Sequence, residues 1–188
     1  GQTLDHIDFS LFSISDKIKI IIHLLSVIKY IHENNFIYRD MKPSNIVINQ
    51  NQTAIVIDFD RMIEDKNFIN EINNPQTIDL DNYFNAPEIN DKNLTNKCDI
   101  YSFSKMIKEI LPDMENDEYY SMIYSIYQIC TDKTPTNRPT TSYLYFLFFI
   151  FIENKKISID LSPDFNQNDP KTQFYLGEIY YLGKYISR

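Results

Sequence analysis

Hydrophobic residues recur at helical spacing in the first part of the chain. The recurring positions are Ile18, Ile21, Ile22, Leu25, Ile28 and Ile31. Steps of three and four residues place these side chains on one face of an α-helix. Ser15 and Asp16 stand just before this face, and residues of these types favour helix N-termini. The pattern therefore predicts an amphipathic helix that begins near Ser15 and ends at Asn34 and Asn35.

Two short runs rich in β-branched residues follow this helix. Residues 45–49 (NIVIN) and 54–57 (AIVI) are typical of short strands, and Asn51 and Gln52 between them favour a turn. We therefore expect a small β-hairpin. The chain from 61 to 85 is polar and rich in Asn and Asp, which predicts a long loop of the kind that is functional or disordered.

The second half of the chain predicts three more helices. They cover residues 96–111, 118–130 and 139–151, and the last has a proline at its first turn. The most apolar run, 143–152, is much shorter than the stretch of about twenty residues that a bilayer requires. We therefore predict a buried helix there and no membrane partner.

Composition excludes several classes of function. The 188 residues carry a formal net charge of −8, whereas nucleic-acid binding requires a basic surface. Gly1, Gly177 and Gly183 are the only glycines, so no glycine-rich phosphate loop is present. Cys98 and Cys130 lack C-x-x-C spacing, which predicts small buried hydrophobic side chains. With no signal-peptide pattern, we expect an intracellular, cytoplasmic location.

The candidate chemistry lies in two motifs on either side of the predicted hairpin, YRDMKPSN and DFD. A hairpin of this length returns Asp58 to the edge that holds Asp40 and Asn45. Phosphoryl transfer needs a carboxylate to orient the attacking hydroxyl, a cation at the γ-phosphate and hard oxygen ligands for Mg²⁺. Asp40, Lys42, Asn45 and Asp58 are the residue types that meet these needs.

These motifs resemble the signature of the protein kinase family. That signature has an Asp with an Asn five positions later, then D-F-G, then A-P-E. Two further segments, DIYSF and NRP, resemble the central helix of the family and the arginine before its last helix. In chain order, the matching segments are 40–45, 58–60, 86–88, 99–103 and 137–139. The resemblance covers the chain from its first residue to about residue 152.

The resemblance implies an ATP- and Mg²⁺-dependent protein kinase. Asp40 would be the catalytic base, and Lys42 would contact the γ-phosphate of the nucleotide. Asn45 and Asp58 would hold the metal and, with Lys42, the nucleotide. The DMKPSN sequence around Lys42 is similar to kinases that phosphorylate Ser and Thr hydroxyls of protein substrates.

The same resemblance implies roles for other residues. Arg39 would pair with a phosphate on the activation loop, and Asp99 would hold the backbone of the catalytic loop. Glu88 and Arg138 would form a buried ion pair. The three histidines have no ligand-like spacing and are predicted to be structural or exposed.

Two positions depart from the family pattern and support an alternative function. Asp60 stands where the family has the glycine of D-F-G, and Asp81 stands where it usually has a threonine. Both add carboxylates near the metal site or the catalytic base. The alternative is a pseudokinase or scaffold that binds protein partners through the kinase-like lobe and helical repeats. A weaker option is a helical-repeat adaptor with a vestigial lobe.

The predicted fold class is mainly α, a kinase-like C-lobe with a small β-hairpin and without the N-lobe. The domain prediction is a C-lobe over 1–153, a linker over 154–168 and a helical repeat from 169 to 188. Within the last segment, TQFYLGEIYYLG resembles the first helix of a Sel-one-like repeat, a relative of tetratricopeptide repeats. Since one repeat cannot bury its own apolar face, we expect more repeats to follow. We also expect these 188 residues alone to be inactive.

Overall fold

The computed structural model describes residues 1–65, 82–91 and 94–157. These residues form four α-helices and five short strands, which confirms a mainly helical fold with a small sheet. The helices are α1 (Ile14–Glu33), α2 (Lys97–Ile110), α3 (Ser121–Cys130) and α4 (Thr141–Lys155). The strands are β1 (Gln2–Thr3), β2 (Phe36–Ile37), β3 (Ile46–Ile48), β4 (Ala54–Val56) and β5 (Ile63–Glu64).

Helix α1 begins one residue before the predicted start, because Ser13 is its N-cap. The Ser13 hydroxyl accepts a hydrogen bond from the backbone N–H of Asp16 and donates one to its carboxylate. The helix ends where expected, with Asn34 as the C-cap, and Asn35 follows in the left-handed region at φ 61°. Asn is among the few residue types that adopt this conformation readily. The caps therefore account for both ends of α1.

The whole predicted stripe of α1 is buried, but burial extends beyond it. Ile20 and Leu24 lie outside the stripe and are also fully buried. The reason is that α1 is the central element of the core. It packs against α2, α4, β2 and β4, so that most of its circumference is covered.

The predicted β-hairpin is present. Strand β3 pairs antiparallel with β4, and β1 adds to the other side of β3. The turn is held by the Asn49 side-chain oxygen, which accepts the N–H groups of Asn51 and Thr53, each at 2.9 Å. Gln52 adopts a left-handed φ of 60° in this turn. The sheet therefore contains a third strand that the sequence pattern did not reveal.

The predicted long loop over 61–85 does not begin as a loop. Strand β5 pairs antiparallel with β2, so that Ile63 lies opposite Ile37 and Glu64 opposite Phe36. Each of these strands is two residues long, and such a strand exists only because its partner is present. The prediction was therefore wrong for the first residues of this stretch.

The starts of α3 and α4 differ from the predictions in detail. Residues 118–120 form a 3-10 turn, which the Asp117 side chain caps, and the α-helix begins only after it. Thr140 is the N-cap of α4, and its hydroxyl accepts the N–H of Tyr143. Pro139 therefore lies before the cap and not in the first turn of the helix.

Helix α4 is half buried rather than buried. Leu144, Phe148 and Phe151 are fully covered, whereas the Tyr143 side chain on another face is 50% exposed. The helix continues to Lys155, two residues beyond the predicted end of the lobe.

In the part of the chain that the structure describes, no helix has the length and apolar character to cross a bilayer. The predicted linker beyond residue 157 and the repeat segment 169–188 lie outside the described residues.

Glu88 and Arg138 form the predicted buried ion pair. The Arg138 guanidinium donates to both carboxylate oxygens of Glu88, with one contact at 2.9 Å. It also donates to the main-chain oxygens of Asp132 and Lys97, and it lies 5.0 Å above the ring centroid of Tyr101. The pair therefore connects residues 82–91 to α2 and to the loop that precedes α4.

We predict that removing one partner of this pair destabilises the fold more than removing both. Glu88→Leu should lower the free energy of unfolding by about 3–5 kcal/mol, because it leaves the Arg138 charge buried without a counter-ion. The double variant Glu88→Leu/Arg138→Met should be more stable than Glu88→Leu alone. Urea unfolding of the three proteins measures this. A double variant less stable than Glu88→Leu would contradict the prediction.

Cys98 and Cys130 are free, fully buried thiols, as their isolated positions predicted. Burial raises the pKa of both, and that of Cys130 reaches about 12.

We therefore predict that neither thiol reacts with a colorimetric disulfide reagent in the native protein at pH 8. The pKa values are raised, so both groups remain protonated, and the thiolate is the reactive form. Both thiols should react once the protein is unfolded in denaturant. Fast titration of either thiol in the native protein would show that the surrounding core is open.

Candidate active site

The Asp99 side chain, in the first turn of α2, holds the backbone of the candidate catalytic loop. Its Oδ2 accepts the N–H of Tyr38 at 2.8 Å, and its Oδ1 accepts the N–H of Arg39 at 2.9 Å. The Nε2 of His32, near the end of α1, lies 2.9 Å from Oδ2. This confirms the prediction for Asp99 and shows that His32 is structural. No pattern in the sequence indicates which residue His32 contacts.

The backbone that Asp99 holds is in an unusual conformation. Arg39 has a left-handed φ of 69°, a backbone conformation that residues with a Cβ rarely adopt. Such a conformation costs about 1–3 kcal/mol. Hydrogen bonds to both N–H groups stabilise this turn, and Asp40 follows it directly. The Arg39 side chain is buried, which lowers its pKa, and its Nε has no hydrogen-bond partner among the described residues.

Among the described residues, three side chains make four contacts with the carboxylate of Asp40. Asp40 is 3% exposed. Lys42 Nζ lies 2.9 Å from Oδ2 and 3.1 Å from Oδ1. Asn45 Nδ2 donates to Oδ2 at 2.8 Å, and Arg61 donates to Oδ1 at 3.1 Å. Asp40, Lys42 and Asn45 are thus in one hydrogen-bonded set. Arg61 was not predicted, since only the folded chain brings it to Asp40.

The hairpin returns Asp58 to the side of the catalytic loop, as its length predicted. The N–H of Ile57, the residue before Asp58, donates to the main-chain oxygen of Asn45 at 2.9 Å. The Tyr38 hydroxyl donates to the Ile57 main-chain oxygen at 2.5 Å. Tyr38 is fully buried, which raises the pKa of its phenol well above the usual range and keeps the hydroxyl as a donor. Asp58 is therefore fixed next to Asn45 through its neighbour.

The oxygens at Asn45 and Asp58 suit a magnesium ion that also binds phosphates. The Asn45 side-chain nitrogen donates to the side chain and to the main chain of Asp40. The amide oxygen of Asn45 is therefore the atom that could bind a metal. The Asp58 carboxylate is exposed. Mg²⁺ is usually held by one or two protein oxygens together with water and substrate phosphates. The described residues contain no group of three or more His, Cys, Asp and Glu that could hold a metal by itself.

Asp60, which stands in place of a glycine, is not strained in this structure. The residue with left-handed φ in the DFD motif is Asp58, at 61°, and Asp60 is not among the described residues with positive φ. The Phe59 ring packs edge-on against Tyr38, with the centroids 5.5 Å apart. This arrangement does not require a glycine at position 60. The second departure, Asp81, lies outside the described residues.

Comparisons with known proteins agree with this geometry. A family model described as protein kinase domain matches residues 2–144. The chain belongs to the protein kinase domain family.

Two relatives give a similar result. The chain is 30% identical over 120 residues to a protein kinase and PP2C-like domain-containing protein of Arabidopsis thaliana, a match that covers 53% of this chain and 17% of that protein. It is also 30% identical over 164 residues to a protein of Acanthamoeba polyphaga mimivirus whose name places it among serine/threonine-protein kinases. That match covers 70% of this chain and 55% of the viral protein. The chain thus spans about half of one relative and about a sixth of the other.

We predict that Asp99→Ala destabilises the protein by about 2–5 kcal/mol, because it leaves two buried N–H groups without acceptors. Asp113→Ala, at an exposed position, serves as the control and should change stability by less than about 0.5 kcal/mol. Urea unfolding measures both effects. Hydrogen exchange should also accelerate at the amides of Tyr38 and Arg39. Unchanged exchange at these amides would contradict the role of Asp99.

Proposed function

We propose that the natural protein containing this chain is a kinase that transfers the γ-phosphate of ATP to Ser and Thr hydroxyls of protein substrates. The observation that carries the proposal is the hydrogen-bonded set of Asp40, Lys42 and Asn45, with Asp58 held beside it by the hairpin. This set contains the carboxylate, the cation and the oxygen ligands that phosphoryl transfer needs.

Asp40 is the catalytic base in this proposal. The substrate hydroxyl donates a hydrogen bond to the Asp40 carboxylate, which orients the oxygen in line with the γ-phosphorus. The new bond between oxygen and phosphorus forms while the bond to the leaving ADP oxygen breaks. The proton passes to Asp40 late, because the transition state is loose.

Lys42 is the γ-phosphate contact. Its ammonium bridges both Asp40 oxygens, and its side chain is 26% exposed, so that it lies at the border between the catalytic carboxylate and solvent. From there the ammonium can neutralise charge on the transferring group without leaving the neighbourhood of Asp40. Fixed charges of this kind stabilise the transition state, since they need little reorganisation.

Asn45 and Asp58 would hold Mg²⁺ through their side-chain oxygens. The ion, when bound, neutralises the phosphates and orients the transferring group. The chain contributes one neutral and one charged oxygen, and the hairpin fixes their separation. Asp60 adds a second exposed carboxylate two residues beyond Asp58.

The outer face of the hairpin supports binding of the nucleotide base. Ile55 and Ile57 alternate along this face and are 45% and 38% exposed, and Val47 is the cross-strand partner of Ile55. This apolar surface leads directly to Asp58. Small-molecule sites are lined mainly by apolar side chains, so these residues suit contact with a purine ring.

Two observations support Ser and Thr hydroxyls as the acceptors. Lys42 lies in DMKPSN, the pattern of kinases with this preference, and the viral relative is named as a serine/threonine-protein kinase. Partners of the C-terminal segment 169–188 would be proteins bound through helical repeats.

The second candidate is a pseudokinase or scaffold. Asp60 favours it, because an added carboxylate beside Asp58 alters the charge at the metal site. A thermal-shift assay separates the candidates. An increase in melting temperature with Mg²⁺ and ATP that Asp58→Ala removes supports the kinase, and no increase supports the scaffold.

We predict that Asp40→Asn lowers kcat about 10²–10⁴-fold in the full-length natural polypeptide, the range typical for loss of a positioned base. The amide preserves the shape of the side chain but cannot accept the proton. Asp113→Asn is the matched control and should retain wild-type activity. The measurement is transfer of labelled phosphate to a Ser/Thr peptide library. Equal activity of wild type and Asp40→Asn would reject the proposed mechanism.

A further inference from the structure

Arg61 contacts the candidate catalytic base from outside the catalytic loop. Its guanidinium donates to Asp40 Oδ1 at 3.1 Å. Lys42 and Asn45 belong to the same loop as Asp40, whereas Arg61 follows the DFD motif after the hairpin. The contact therefore joins the two segments that carry the candidate chemistry.

The donors around Asp40 use its full capacity to accept hydrogen bonds. A carboxylate accepts about four, two on each oxygen. Oδ1 has Lys42 and Arg61 within 3.1 Å, and Oδ2 has Lys42 and Asn45 within 2.9 Å. The side chain is also 3% exposed. A substrate hydroxyl can reach a carboxylate oxygen only after one donor has left.

Arg61 is the donor that can leave with the least disturbance. Asn45 is held by a second hydrogen bond, to the Asp40 main-chain oxygen at 2.9 Å, and Lys42 contacts both carboxylate oxygens. Arg61 makes one contact with Asp40, and its side chain is 34% exposed. The other two donors are less exposed, since the Lys42 side chain is 26% exposed and Asn45 is buried. Since about a third of the Arg61 side chain is open to solvent, water can replace its single contact with the buried carboxylate.

We propose that Arg61 is a positioning residue that covers the catalytic carboxylate and restrains phosphoryl transfer until it withdraws. The restraint rests on the proposed function, since it acts on Asp40 as the base. While Arg61 is paired, Oδ1 is occupied and the site is closed to a hydroxyl. When the Arg61 side chain turns into solvent, Asp40 Oδ1 can accept the hydrogen bond from the substrate hydroxyl.

The test is Arg61→Gln in the full-length natural polypeptide, assayed for phosphate transfer to a Ser/Thr peptide at low ionic strength. We expect kcat to rise about two- to fivefold, the range that the strength of a partly exposed ion pair allows. The KM for ATP should change by less than about twofold. Arg61→Lys keeps a cation near Asp40, so its increase should be smaller than that of Arg61→Gln.

Ionic strength provides a readout that a merely structural role would not change. Salt screens the pair of Arg61 and Asp40, so wild-type activity should approach that of Arg61→Gln as salt rises. Lys133→Gln removes one cation from an exposed loop position and is the control for net charge. A kcat for Arg61→Gln equal to or below that of wild type and Lys133→Gln would overturn the proposal.

Two further variants separate this inference from the proposed function. Asp40→Asn should lower kcat about 10²–10⁴-fold in the Arg61→Gln background as well as alone. If transfer depends on Asp40 in neither background, the proposed function fails. The ion pair is then judged by a double-mutant cycle of Asp40→Asn and Arg61→Gln in urea unfolding. Strictly additive effects would overturn the pairing itself, whether or not the protein is an active kinase.

Discussion

The carboxylate of Asp99 is the interaction on which the candidate active site depends. Its two oxygens accept the N–H groups of Tyr38 and Arg39, and so they stabilise a left-handed residue that would be unfavourable alone. A buried carboxylate requires donors just as a buried N–H requires an acceptor. His32 supplies a further polar contact to Asp99 from α1. Polar groups from three separate segments of the chain thus pair with one another where the candidate catalytic loop begins.

The hairpin extends this constraint to the candidate metal ligands, Asn45 and Asp58. Because Ile57 donates to the Asn45 main chain and accepts from the Tyr38 hydroxyl, the residue before Asp58 is held at both of its backbone polar groups. Asp58 itself is exposed, so its carboxylate stays accessible while its backbone is fixed. The fold therefore combines a rigid scaffold with an open ligand, which is what a site shared between protein oxygens and substrate phosphates requires.

Sequence reasoning succeeded where the signal lies within one element or one ordered set of motifs. The face of α1 follows from the period of the helix, and the hairpin from two β-branched runs, so both were predictable. Strands β1, β2 and β5 were not, since a two-residue strand is defined by its partner and has no pattern of its own. The contacts of His32 and Arg61 were hidden for a related reason. Each joins residues that only the folded chain brings together.

In the proposed function, the charges around Asp40 would allow one site to support either an active or a restrained enzyme. A phosphoryl-transfer site needs cations near the phosphates, but cations that donate to the catalytic carboxylate occupy the oxygens that the substrate must reach. Lys42 serves the first need and stays in the catalytic loop, whereas Arg61 adds a second cation from a more exposed position. Asp60, next to Arg61 in the chain, adds a carboxylate on the solvent side. In the proposed kinase, the balance of these neighbouring charges, rather than the missing glycine, would determine how freely Asp40 accepts a hydroxyl.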